Sequence, residues 1–279
     1  MSKALAALDR EEALFAANRA NGLLVLSVRS LGGQTRRGSV HEAGSLRLRF
    51  PNTDTATLEA VILNTAGGMT GGDRFGIDIE VGEGASLLVG TTSAEKIYRS
   101  LQNDVTVDVA LKVREGGRLA WLPQETILFE RARYSRRIDV DLAEDANLIL
   151  AEAVVFGRAA MGETVTHGSL ADRWRVRRGR KLVFAENVRL DGDIDRKLAA
   201  AAIAKGGMAV ATILIAPGTE RQTEVVRAVE GQFTGEAAIS CWNGIAVARF
   251  CAPDGAALRR DVCVALAALE IPLPRLWLN

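Results

Sequence analysis

Three segments decide the fold: EGASLLVGTT (Glu83–Thr92), EGGRLAWLPQ (Glu115–Gln124) and EDANLILAEA (Glu144–Ala153). They share one plan, in which a strand runs into an acidic or glycine turn and a second strand begins through Leu87, Leu119 or Leu148. Working outward, TATLEAVILN with Leu58 precedes them and RGRKLVFAEN with Leu182 follows. The five leucines lie 29, 32, 29 and 34 residues apart. A period near thirty that contains paired strands predicts stacked β-layers, each unit burying its apolar face against the next. The alternative is a plain antiparallel sandwich with similar turns. The expected fold is therefore all-β, a stacked β-layer or β-helix-like scaffold, with a few helices near the C-terminus.

Apolar and polar residues alternate through SLRLRF, FGIDIEV, VTVDVALKV, RIDVDL and WRVRRGRKLVF, the period of half-buried strands. Helical spacing appears mainly toward the ends. Leu258, Val262, Leu266 and Leu269 share one helical face, with Pro272 beyond it. DIDRKLAAAAIAKGG predicts a short alanine-rich helix stopped by Gly206 and Gly207, and MAVATILIAPG returns the chain to a sheet. Residues 1–20 read as a loose N-terminal segment and 21–279 as a single domain.

The chain has 279 residues, and its formal charge of +1 gives no reason to expect nucleic acid or an anionic membrane as partner. No apolar run approaches the roughly 20 residues that span a bilayer. Asp9, Glu11 and Glu12 interrupt the stretch where a signal peptide would be apolar, so a cytoplasmic location is expected. Cys241, Cys251 and Cys263 lack paired spacing and read as reduced apolar residues.

NTAGGMTGGDR (Asn64–Arg74) places two glycine pairs before an acid. A phosphate loop needs a lysine and a following helix; here Asp73 follows Gly72 and a strand pattern comes next. The glycines serve a turn that approaches a neighbouring strand closely, with Asp73 bonding backbone N–H groups.

NTAGGMTGGDRF resembles the NPxGGxxGGDxL motif of the urease accessory proteins called UreD (UreH in some organisms). In the same order, GTTSAEKIYRS at 90–100 resembles that family's TTQxAxKxYRS, and WLPQETILFERARY at 121–134 its WLPxPTIxFxGA. AEAVVFGRAAMGE at 151–163 is similar to xExxxxGRxAxGE, and NVRLDG at 187–192 to the family's xLxL ending. Thr65 and Glu125 stand where the family has proline. The resemblance implies a scaffold that docks on apo-urease and joins it to UreF and the GTPase UreG. It also implies that nickel moves in transit through the scaffold, with GTP bound only by a partner.

The residues agree with a chain that performs no chemistry of its own. His41 and His167 are isolated and read as surface residues, and no nucleophile or metal-ligand spacing appears. Nickel favours nitrogen and sulfur donors, so the available carboxylates argue against a tightly held ion and are compatible with the weak, transient passage that the resemblance implies. Glu152 and Glu186 lie inside apolar strands, where an unpaired charge is costly, and are candidates to line that passage. A salt bridge to a strand arginine such as Arg189 would explain them structurally. Asp73, Glu130 and Asp141 are further candidates. Thr91, Thr92, Lys96, Tyr98 and Arg99 match the family motif, and Trp121, Ile127, Leu128 and Phe129, with the C-terminal helix, are candidate partner contacts. A rival reading is a β-helical carbohydrate enzyme using Glu125 and Glu130 as acid and base. Arg173, Arg175 and Arg177 form one face of a strand and read as a solvated hairpin surface.

Overall fold

The computed structural model describes residues 18–53, 55–158 and 161–277. The expected N-terminal segment falls almost wholly outside them. Among the described residues the first strands are β1 (Asn21–Leu31), β2 (Gln34–Gly44), β3 (Leu46–Arg49) and β4 (Leu58–Asn64). The chain continues with β5 (Arg74–Val81), β6 (Ser86–Thr91), β7 (Glu95–Ile97), β8 (Val105–Val113), β9 (Arg118–Trp121) and β10 (Thr126–Leu128). β11 (Arg133–Leu142), β12 (Asn147–Phe156), β13 (His167–Arg178) and β14 (Lys181–Asp193) complete the central region. Then come α1 (Ile194–Ala199), β15 (Ala209–Ala216), α2 (Glu220–Ala228), β16 (Glu236–Trp242), β17 (Ile245–Ala252) and α3 (Gly255–Ala268).

The strands form two facing sheets. The first runs β14-β13-β11-β8-β5-β1-β2, and the second runs β16-β17-β15-β12-β9-β6-β4-β3. Each quoted repeat is the corner where the chain crosses from one to the other: β5 to β6, β8 to β9, β11 to β12. Within each sheet these strands lie parallel to their counterparts, giving stacked coils. The leucines that set the period are in register, Leu58 beside Leu87, Leu87 beside Leu119, and Leu119 beside Leu148. Leu87, Leu119 and Leu148 are each at most 2% exposed. The corners stack too: Gly84 N–H donates to Glu115 O, and Gly116 N–H to the Asp145 carboxylate.

The fifth leucine breaks the ladder. Leu182 is 47% exposed and lies on β14, which folds back antiparallel on β13 in the first sheet. Arg178 pairs with Lys181, so Gly179 and Arg180 form a two-residue turn too short to cross to the second sheet. The second sheet is instead completed by β15, antiparallel to β12, followed by β17 and β16. The stack of parallel coils is thus closed at one end by antiparallel strands.

One core lies between the sheets and a second between the outer face of the second sheet and α3. α3 occupies the predicted C-terminal helix, with Leu258, Val262 and Leu266 buried and Asp254 capping it through Ala257 N–H. α1 ends at Ala199, earlier than the alanine run predicts, and turns carry the chain to Gly206. α2 was not anticipated; its Thr219 and Gln222 form a reciprocal capping box. No described helix is long and apolar enough to cross a membrane.

Candidate functional site

Inward positions of these strands are apolar with few exceptions, and the exceptions gather. On β11, Tyr134, Ile138 and Val140 face inward, and Arg136 takes the place between them. Asp172 holds the same place on β13, directly beside Arg136 in the parallel ladder. Glu152 faces them from β12 in the opposite sheet. All three are less than 9% exposed.

Their hydrogen bonds close on one another. Arg136 Nε donates to Asp172 Oδ1 at 3.0 Å and its Nη2 to Oδ2 at 2.6 Å, while Nη1 donates to Glu152 Oε2. Trp121 Nε1 donates to Glu152 at 2.8 Å and Trp174 Nε1 to Asp172 at 3.0 Å. Two carboxylates share one guanidinium, so the cluster carries a formal charge of −1. Burial pushes the Glu152 carboxyl above its ordinary range, and Arg136 pulls it back in part. For Arg136 burial acts to release the proton, but the two carboxylates outweigh it and hold the group charged.

The cluster continues toward one end of the molecule. Glu152 lies beside Thr212 on β15, and Thr212 beside Arg249 on β17, a row of inward positions across the second sheet. Arg249 Nη2 then donates across to Glu186 of β14 at 2.6 Å. Glu186 sits in register with Trp174 and pairs with Arg249 rather than with Arg189, which reaches Asp191. Thr212, Glu186 and Arg249 line a groove of about 460 Å³ that opens between β14 and β17 and also carries Leu198, Phe156 and Cys251. With strands about 4.8 Å apart, Glu152 is one strand inward from the groove wall at Thr212. Glu152 and Glu186 are thereby brought into one seam, together with Arg136, Asp172, Thr212 and Arg249.

The other sequence candidates lie elsewhere. Asp73 is buried at the turn, accepting from Ala20 N–H and Thr70 N–H at 2.8 Å each. Gly71 has no room for a Cβ, which would collide with the Ser100 side chain and the Asn103 carbonyl, and Gly72 takes a φ of +93°. Glu130 accepts from Thr166 and from His167 N–H. Partial burial raises its carboxyl, but these bonds prevail and the net shift is downward. Asp141 is exposed on the outer face between Lys112 and Arg177. Glu125 is tied to Arg259 at 3.0 Å, so it and Glu130 are held by separate partners.

Among the motif residues, Thr91 is buried and its Oγ1 accepts from Gln124 N–H, while Thr92, Lys96 and Arg99 are exposed. Tyr98 stacks edge-on against Phe129 at 4.9 Å, and Arg158 covers Phe129 from 4.2 Å. Trp121 and Leu128 are each 3% exposed and belong to the core, so neither offers a contact surface; Ile127 is half-buried. The apolar face of α3 is likewise packed against the second sheet. The three cysteines are free and half-buried, and burial raises each thiol. Among the described residues no three of His, Cys, Asp or Glu converge to hold a metal ion.

A sequence profile of the UreD urease accessory protein family matches residues 20–278. The chain belongs to that family. UreD of Rhodopseudomonas palustris (strain BisA53) is 56% identical over 269 residues, covering 96% of this chain and 94% of the relative. UreD of Bradyrhizobium diazoefficiens is 53% identical over 272 residues, covering 98% and 99%. Both relatives are named urease accessory proteins. The matched range, residues 20–278, takes in both sheets and the buried seam.

Proposed function

We propose that the chain is a non-enzymatic maturation scaffold of the cytoplasm, which docks on nickel-free urease, links it to UreF and UreG, and passes nickel between its two sheets. The observation that carries this is the inward row Glu152–Thr212–Arg249 running to Glu186 at the open groove. A charged seam through an otherwise apolar interior is costly unless every member is paired, and replacing it by apolar side chains is often neutral or stabilising. A seam that stability alone does not require supports a role beyond stability. Carboxylates already shared with guanidinium groups suit a cation that exchanges, because oxygen donors hold nickel less strongly than imidazole or thiolate does.

In this reading Glu186 and Arg249 form the entrance, and the net negative charge of the Arg136, Asp172 and Glu152 cluster draws a cation inward. Nickel is cargo, and GTP hydrolysis belongs to the partner UreG. Cells carrying the remaining urease genes but lacking this chain should make urease protein that is nickel-poor and inactive, measured by metal content of the purified enzyme. Normal nickel content would reject the proposal.

A further inference from the structure

A second cavity lies on the opposite face of the second sheet, away from the seam. It has a volume of about 630 Å³ between the sheet and the C-terminal segment around Leu273. That segment is pinned by Trp277 Nε1 donating to Leu122 O at 3.0 Å and Arg259 Nη1 donating to Trp277 O at 3.2 Å. The floor is one outward row in register, Glu59–Leu88–Ala120–Ile149, so an apolar strip ends on a carboxylate. Glu59 is 4% exposed, and its Oε1 is sealed from solvent without a hydrogen-bond partner. Arg118 and Arg275 line the same cavity, and among the described residues no ion pair joins either of them to Glu59.

A buried carboxylate oxygen without a donor is costly. Arg118 and Arg275 are exposed on the same groove, two guanidinium groups placed to meet a carboxylate from outside. The floor spans three strand spacings, roughly 14 Å, the reach of about four residues of extended chain. We propose that the groove seats an extended segment of a partner protein, with a lysine or arginine against Glu59. An apolar side chain of that segment lies on Leu88, Ala120 and Ile149, and one of its carboxylates meets Arg118 and Arg275. This surface is independent of the nickel route, since its residues face away from the seam.

Fluorescence anisotropy with the full chain tests it, using labelled hexapeptides AKLLEA and AELLEA. The lysine peptide should bind at least tenfold more tightly than the glutamate peptide. Glu59→Gln and Arg118→Glu should each weaken it tenfold or more, while Glu80→Gln, on the outer face of the first sheet, should not. Glu59→Leu should melt at a higher temperature than the wild type and lose the peptide, because the carboxylate serves binding at the expense of stability. Equal affinity for the two peptides, no binding of either, or a lower melting temperature for Glu59→Leu would overturn the proposal. So would a dimer of this chain that Glu59→Gln dissolves, since the occupant would then be a second copy.

Discussion

Arg136 and Asp172 occupy inward positions of strands whose other inward residues include Tyr134, Ile138, Val140, Leu170, Trp174 and Val176. The same two-residue alternation that marks Glu152 as a charge among apolar neighbours marks these two as well. Their partners were not legible, because pairing depends on which strands lie side by side. Glu95 illustrates another consequence of position. It lies in register beside buried Thr126, and its carboxylate accepts from Asn64 Nδ2 at 3.1 Å. Burial raises its pKa, and the Asn64 bond offsets this only in part. Between the ordinary carboxylate range and that raised value the folded chain binds more protons than the unfolded one, so this residue's contribution to stability falls as pH rises. Glu95→Gln should therefore raise the melting temperature at pH 7 and leave it nearly unchanged at pH 4, measured against wild type by calorimetry.

At the scale of elements, a repeat spaced near thirty residues predicts a ladder, and four of its five leucines form one. The fifth fails because the Gly179–Arg180 turn makes a hairpin, a local signal that outranks the longer period. The two classes of leucine should respond differently. Leu119→Ala removes a side chain packed within the inner core and should cost about 2–5 kcal/mol in urea unfolding. Leu182→Ala, at 47% exposure, should cost no more than about 0.5 kcal/mol. Comparable losses at both positions would mean that Leu182 belongs to a ladder after all. The helices followed the same logic: α3 was readable from its apolar stripe, whereas α2 buries only Thr223 and Val226 and leaves too narrow a stripe to see.

At the scale of the whole molecule, the seam joins both sheets, so its members must be altered together to separate structure from function. Arg136→Met alone leaves two buried carboxylates uncompensated and should lower stability by about 3–5 kcal/mol. The triple variant Arg136→Met, Glu152→Gln, Asp172→Asn removes every charge while amide oxygens still accept from Trp121 and Trp174. It should fold with a stability within about 2 kcal/mol of the wild type. In cells it should nevertheless leave urease poor in nickel. A stable triple variant that supports full nickel loading would reduce the seam to an internal brace.

The sequence by itself determined the strand period, the corner residues, the C-terminal helix and membership of the UreD family. These depend on local spacing, turn chemistry and motif order, all of which are written along the chain. Only the tertiary structure decided that Glu152 shares Arg136 with Asp172, that Glu186 turns to Arg249, and that Glu59 faces an open groove. The first two join separate strands, some of them from opposite sheets, and the groove lies between the second sheet and the distant C-terminal segment. Side-chain alternation tells which face a residue takes, but the stacking of the coils tells what it meets there.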